Sequence, residues 1–301
     1  MKTPWWFMHK NPVSFLLLPV GVMYYIIGRI VWLWRRMFAM SSRRPIVCVG
    51  NILAGGVGKT PVVRAIANYF DAPVVMRGYK KSAQTGNAGD EATMMSRDGL
   101  QVHTGDRKSN IILLNRQKSD RRPIIMDDGM QNPSIKKNVT IAVFDEGIGY
   151  GNGFLLPAGP LREPKRAARR ADAIIVIRAN HPRKDFVLPR GVPVFYAENE
   201  TLNPYEGSEK LVAFAGIGFP KKFFGSLPNI VATRAFADHY QYTFADLDSL
   251  FALAKKNGAK LVTTEKDWVR MPKCARDKIK YAKLVTKIDD AFFKWLGDRI
   301  K

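Results

Sequence analysis

The sequence predicts an α/β protein with a mostly parallel sheet. Three observations carry that prediction. Short apolar runs of strand length recur along the chain, and several lack the polar alternation of a half-solvated strand. Segments of helical period separate many of them. The first run ends in a glycine-rich turn that leads straight into a helical pattern. With 301 residues, 46% of them apolar, the chain is long enough for two domains and for a sizeable core, and global disorder is excluded.

The N-terminal segment comes first. No charge falls between Asn11 and Gly28, and apolar character resumes after Arg29 with Ile30-Val31-Trp32-Leu33-Trp34. A spanning helix needs ~20 apolar residues, and Pro19, Gly21 and Gly28 interrupt this run. No small-residue cleavage site follows, which argues against a signal peptide. Trp5, Trp6, Trp32 and Trp34 suit a membrane interface, so the segment reads as a membrane-associated helix lying in or dipping into one leaflet. A buried core helix is the alternative. Were it to span, Arg29, Arg35, Arg36, Arg43 and Arg44 would keep the rest of the chain cytoplasmic.

The first strand is expected over residues 45–50. A helix follows over 60–70, with Val63, Ile66, Ala67 and Phe70 on one face and Pro61 harmless in its first turn. Further strands are expected at 73–76, 123–126, 139–144, 173–177, 192–196, 211–215 and 260–264. A shift to Asn, Glu, Pro, Gly and Ser around 199–210 marks a domain boundary. The expected organisation is a membrane-associated segment at 1–40, a core at 41–205 and a smaller C-terminal α/β domain at 206–301.

Lys and Arg number 48 and Asp and Glu 26, a formal net charge of +22, which favours an anionic partner: nucleic acid, an anionic membrane or a phosphorylated substrate. Two distant cysteines, Cys48 and Cys274, exclude a disulfide framework and suit a reducing compartment. With four histidines they show no zinc-ligand spacing. No helix-turn-helix, zinc-finger or RNA-binding sheet signature is present, so nucleic acid is not the expected partner.

The strongest mechanistic signal is Gly50-Asn51-Ile52-Leu53-Ala54-Gly55-Gly56-Val57-Gly58-Lys59-Thr60, between first strand and first helix. Gly55, Gly56, Val57 and Gly58 would turn backbone N–H groups toward phosphate oxygens. Lys59 would reach the β/γ-phosphates, and the Thr60 hydroxyl would ligate Mg²⁺ at the positive end of the helix dipole. This is the order of a P-loop nucleotide site, although the usual spacing would put glycine where Leu53 stands. Pro123-Ile124-Ile125-Met126-Asp127-Asp128-Gly129 reads as the partner strand, delivering Asp127 and Asp128 to the metal; an ordinary Asx turn is the competing use. Arg162, Arg166, Arg169 and Arg170 fall at helical steps of three and four, a basic face suited to an anionic lipid or acceptor, or simply a solvated face.

Taken together, these motifs resemble the tetraacyldisaccharide 4′-kinase family. The resemblance rests on the loop through Pro61, on Arg77-Gly78-Tyr79, Gly89-Asp90-Glu91 and Asp127-Asp128-Gly129-Met130-Gln131. It continues with Gly151-Asn152-Gly153 leading into Leu156-Pro157-Ala158-Gly159-Pro160-Leu161-Arg162-Glu163-Pro164. The last blocks are Phe214-Ala215-Gly216-Ile217-Gly218, Asp238-His239 with Tyr242, and Thr263-Thr264-Glu265-Lys266-Asp267. The family's loop shares the atypical form seen at Leu53.

The resemblance implies a P-loop core with a smaller second domain and catalysis in the cleft between them. It implies ATP- and Mg²⁺-dependent phosphorylation of the 4′-hydroxyl of a tetraacylated disaccharide 1-phosphate, a step of lipid A biosynthesis. The setting would be the cytoplasmic face of a Gram-negative inner membrane, with no obligate protein partner. It implies roles too: Lys59 and Thr60 at the ATP phosphates and Mg²⁺, Asp90 as general base, His239 as its partner, Asp127 and Asp128 near the metal, Glu163 as a further site carboxylate. Three departures stand out: a short stretch from Arg77 to Asp90, Asn132 where many members have His, and no Arg before Gly151. A membrane-bound regulatory ATPase or GTPase is the competing class; it would leave the 151–164 block unexplained.

Overall fold

A computed structural model describes residues 4–77, 89–205 and 207–301. Gly78-Tyr79 of the second motif, most of the stretch from Arg77 to Asp90, and Glu206 at the expected boundary lie outside the described residues. Two helices, α1 (Pro12–Leu16) and α2 (Leu18–Met37), precede β1 (Ile46–Gly50) and α3 (Lys59–Tyr69). Then come β2 (Val74–Met76), α4 (Gly89–Arg97), β3 (Val102–Thr104), α5 (Arg107–Asn115), β4 (Ile124–Asp127) and β5 (Val139–Asp145). β6 (Ala173–Ile177), β7 (Val194–Leu202), β8 (Leu211–Ala215), α6 (Pro220–Phe224) and β9 (Ile230–Ala235) follow. The chain closes with α7 (Phe244–Lys256), β10 (Lys260–Thr264), α8 (Glu265–Trp268), α9 (Lys273–Arg276), β11 (Lys280–Ile288) and α10 (Asp290–Arg299).

Contacts divide the described residues into two compact units. The larger comprises 4–77, 100–199 and 286–301; the smaller comprises 89–99, 200–205 and 207–285. The larger unit orders its strands β3-β2-β4-β1-β5-β6-β7, and the pairs are parallel. β1, β2, β4 and β6 are buried at every residue, which is why their sequences are unbroken apolar runs. Ile46, Cys48, Met126, Phe144 and Ile174 meet in its core. The smaller unit orders β11-β10-β8-β9, again in parallel pairs, with Val212, Phe214, Leu250 and Leu261 in its core. The result is a mostly parallel open sheet with helices, as the apolar runs predict. β3, β9 and β11 were not among the expected strands. β3 is short and half-buried, β9 has only half-buried and exposed residues, and β11 mixes exposed with buried ones, so none is a continuous apolar run.

At the N-terminus Asn11 caps α1: its side chain accepts from Ser14 N while the Ser14 hydroxyl accepts from Asn11 N, both at 3.0 Å. Pro19 sits in the first turn of α2, where it costs no hydrogen bond. Among the described residues no helix is long and apolar enough to cross a membrane. Only Gly21 of α2 is buried; a Cβ there would lie 3.3 Å from the Leu155 carbonyl. Val22, Met23, Ile26, Ile27, Ile30 and Trp34 are exposed. Arg43 and Arg44 work inside the fold. Arg43 donates to the carbonyls of Asn115, Gln117 and Lys118, and buried Arg44 donates to Asp120 and to the Arg122 carbonyl.

Candidate active site

The parallel register sets Val49 of β1 opposite Asp127 of β4, so both strands end on one edge of the larger unit. The glycine-rich loop and the Asp-Asp turn therefore emerge side by side. Gly50 must lack a side chain, because a Cβ would stand 2.6 Å from the Met130 Cβ in that turn. Gly58, at φ +79°, ends the loop in the left-handed region and hands over to α3 at Lys59. Thr60 follows Lys59 in the first turn of α3. Leu53, where the usual loop has glycine, is 1% exposed. Around it Ala54 N donates to the Pro160 carbonyl (2.7 Å) and Arg162 N to the Ile52 carbonyl (2.8 Å). Residue 53 is thus a core residue, and the 160–162 segment is laid along the loop.

That pairing delivers Arg162 to Asp128. Arg162 Nη1 donates to both Asp128 oxygens, at 3.0 and 2.9 Å, and Lys59 Nζ stands 3.5 Å from Oδ1. Lys59 also donates to the Asn51 side chain at 3.2 Å, and Gln131 Nε2 holds the Asn51 carbonyl at 2.7 Å. Arg107 donates to the Asp127 carbonyl at 2.6 Å. Burial alone would push the Asp128 carboxyl up; the charges of Lys59 and Arg162 outweigh it and hold the group below the usual carboxylate range. Asp127 is buried at the end of β4.

Arg166 and Arg170 lie in a 3₁₀ helix, Lys165–Arg170, rather than on an α-helical face shared with Arg162, because Pro164 and the turns before it break the period. A groove of about 460 Å³ in the larger unit nevertheless gathers Arg162, Arg166 and Arg170 with Arg29, Arg35 and Trp32 of α2. Arg169 is not among the residues lining it. Glu163 also lines the groove, bonded to Arg170, and burial raises its carboxyl. Among the described residues no group of three or more His, Cys, Asp and Glu side chains is placed to hold a metal ion.

The second cluster belongs wholly to the smaller unit. Asp90 lies in the first turn of α4, and His239 follows β9 at φ +61°. Their closest approach is 3.6 Å, from His239 Nδ1 to Asp90 Oδ2. Arg270, unremarked in the sequence reading, joins them. Its Nε donates to Asp90 Oδ2 at 2.7 Å and its Nη2 lies 2.9 Å from His239 Nδ1. Arg270 Nη1 donates to the Gly216 carbonyl at 3.0 Å, and Asp267 Oδ1 lies 3.4 Å from it. His239 N donates to that same Gly216 carbonyl. A Cβ on Gly216 would meet Asp267 Oδ1 and the Ala237 carbonyl at 3.0 Å. The Thr264 side chain accepts from Asp267 N and donates to its carboxylate at 2.6 Å, starting α8 and turning Asp267 inward. Burial pushes Asp90 up; the His239 ring, Arg270 and Lys266 together bring it below its ordinary value.

The Gly-Asn-Gly block has a different task. Asn152 Nδ2 donates to the carbonyls of Trp6 (2.8 Å) and Ala158 (2.9 Å), and its backbone N to the Phe7 carbonyl (2.7 Å). Trp6 Nε1 returns a bond to the Pro157 carbonyl at 3.1 Å. The block therefore anchors the segment that launches α1 and α2.

A profile of the tetraacyldisaccharide-1-P 4′-kinase family matches residues 13–301. The chain is 40% identical to a tetraacyldisaccharide 4′-kinase of Methylobacterium nodulans over 91% of its own length and 89% of the relative's. It is 36% identical to one of Rickettsia canadensis, over 89% and 87%. Among solved structures it is similar to the Aquifex aeolicus LpxK crystallised with ATP, with a TM-score of 0.76 and 23% identity, over 96% of this chain and all of that one. That last likeness is one of fold alone.

Proposed function

Because the chain belongs to the tetraacyldisaccharide-1-P 4′-kinase family, we propose that it transfers the γ-phosphoryl group of ATP to the 4′-hydroxyl of a tetraacyldisaccharide 1-phosphate in lipid A biosynthesis. The observation that carries this is the family match across residues 13–301. The Lys59, Asp128 and Arg162 cluster beside the glycine loop supports it. No observation favours the regulatory-switch reading.

Phosphoryl transfer asks chiefly for positioning, charge neutralisation and a base. The loop N–H groups and Lys59 would bind the triphosphate. Thr60, Asp127 and Asp128 fit Mg²⁺, an ion that keeps several waters and takes one or two carboxylates with the phosphates. Bound there, Mg²⁺ would neutralise phosphate charge. Glu163 would have to release Arg170 to join such a site. Asp90 would accept the hydroxyl proton as the acceptor oxygen bonds to the γ-phosphorus and the β–γ bridge breaks, releasing ADP. His239 would support that carboxylate. We take the larger unit as the nucleotide-binding core and the smaller as the second domain, carrying the base.

The exposed apolar face of α2 and the arginine groove beside it suit an anionic leaflet and a phosphorylated acceptor. Each basic group near such a surface contributes about 1 kcal/mol. We propose the cytoplasmic face of the inner membrane as its setting, and the apolar face and groove support contact with an anionic leaflet. The test is ATP-dependent phosphorylation of a tetraacyldisaccharide 1-phosphate in detergent micelles, with Lys59→Ala as control. Product that vanishes in the variant is expected. A folded, ATP-binding protein that makes none would sink the reading.

A further inference from the structure

We propose that Arg270 is the positioning residue of the proton-accepting site: it clamps Asp90 through Oδ2, leaving the Oδ1 edge for the acceptor hydroxyl, and holds His239 as the tautomer protonated at Nε2. This rests on the assignment of Asp90 as the base. Four observations carry it. Arg270 is 1% exposed, so its guanidinium is a built-in part of the smaller unit. It bonds Asp90 at 2.7 Å and meets His239 Nδ1 at 2.9 Å, while Asp90 and His239 are themselves 3.6 Å apart. A guanidinium has only donors, so Nδ1 facing it must offer a lone pair, and the ring proton of the neutral imidazole resides on Nε2. Finally, the Gly216 carbonyl accepts from both Arg270 Nη1 and His239 N, which ties ring and guanidinium to one backbone atom.

The consequence is specific. With Nδ1 2.9 Å from Arg270 Nη2 and 3.6 Å from Asp90 Oδ2, His239 acts on the carboxylate chiefly through the shared guanidinium. Nε2 faces Asp238, 3.9 Å away. Among the described residues, the other charges around Asp90 are Lys266, which also pairs with Glu91 at 3.6 Å, and Asp267 behind Arg270.

Two measurements on the full chain test this. In micelles, with ¹⁵N-labelled histidine and His239→Gln to assign the signal among four histidines, Nδ1 of His239 should give the unprotonated, pyridine-like resonance. A protonated Nδ1 in the native protein would overturn the proposal. This readout needs no turnover, so it holds even if the tetraacyldisaccharide is not the acceptor; lack of transfer by the native protein would count against the reaction and not against the clamp. In kinetics, Arg270→Gln should lower kcat by about a hundredfold and leave the KM for ATP within about threefold. Its acid limb should move to higher pH by about one unit, because the cation beside Asp90 is gone. Arg270→Lys, which keeps the charge but not the fork, should recover the acid limb without recovering the full rate. An unchanged rate and acid limb in Arg270→Gln would reduce Arg270 to packing. Should neither variant fold, the native resonance alone decides.

Discussion

Arg162 grips both carboxylate oxygens of Asp128, at 3.0 and 2.9 Å, beside the glycine loop. Lys59 waits 3.5 Å away on the same carboxylate. Asp128 thus stores two cations where a triphosphate would need them. Asp128→Asn should cut turnover by about a hundredfold or more and raise the Mg²⁺ concentration needed for half-maximal rate. Turnover within threefold at an unchanged Mg²⁺ requirement would remove Asp128 from the metal site.

Asp90 is depressed by His239, Arg270 and Lys266 despite burial. A base must be ionised to work, so its rate contribution is present above its pKa and lost as pH falls through it. Activity attributable to Asp90 should therefore be flat across neutral pH and decline only below the ordinary carboxylate value of ~3.9. Asp90→Asn should lower kcat by about a hundredfold to ten-thousandfold with ATP affinity little changed. An unchanged rate would exclude Asp90 as the base.

Asp120 offers a stability test away from the site. Hydrogen bonds from the Arg122 fork act first, with the charge of buried Arg44 in support, and its carboxyl falls to about 2. The folded state therefore gains stability that is fully present above the unfolded value of ~3.9. That gain fades as pH drops toward about 2. Asp120→Asn should lower the melting temperature at pH 6 and narrow the gap to native on acidification to pH 2. A constant gap over that range would show that Asp120 is not the linked group.

Asn152 joins residues far apart in sequence by bonding Trp6, Phe7 and Ala158. Asn152→Ala should leave the Trp6 and Ala158 carbonyls short of a donor, at about 1–3 kcal/mol, and hydrogen exchange should speed up in α1. Gly159→Ala should be worse, because the new Cβ would lie 2.0 Å from the Asn152 side-chain oxygen. Unaltered exchange in both would dismiss the anchor.

The exposed apolar face of α2 is the surface proposed above to meet the membrane. Ile27 is 55% exposed and Ile30 is 62%. The double change Ile27→Asp with Ile30→Asp should weaken sedimentation with anionic vesicles by about tenfold or more while sparing the melting temperature. Full vesicle binding would move the anchor elsewhere.

Much of the fold was legible because strands covered on both faces must be apolar throughout. β1, β4, β5, β6, β8 and β10 are recognisable from their runs alone, each within two residues of its observed ends. The glycine-rich loop between β1 and α3 was legible because strand, glycines, Lys59 and Thr60 are contiguous. β9 and β11, part-exposed and mixed in composition, lacked that signature. Arg270 was harder still. It follows the Thr-Thr-Glu-Lys-Asp block by three residues, the only local hint, since one arginine among so many basic residues carries no mark of its own.

By itself the sequence determined the α/β class, the glycine-rich loop between the first strand and helix, and the family, since each is written in contiguous residues whose chemistry is local. Tertiary structure alone decided what those residues meet. It put 89–99 in one unit with 200–205 and 207–285, set Arg162 on Asp128, and brought Asp90, Gly216, His239 and Asp267 around a single buried guanidinium. The physical reason is desolvation: a charge inside the fold must be paired and hydrogen-bonded, and its partners are chosen by the path of the backbone, across 180 residues in the case of Asp90 and Arg270.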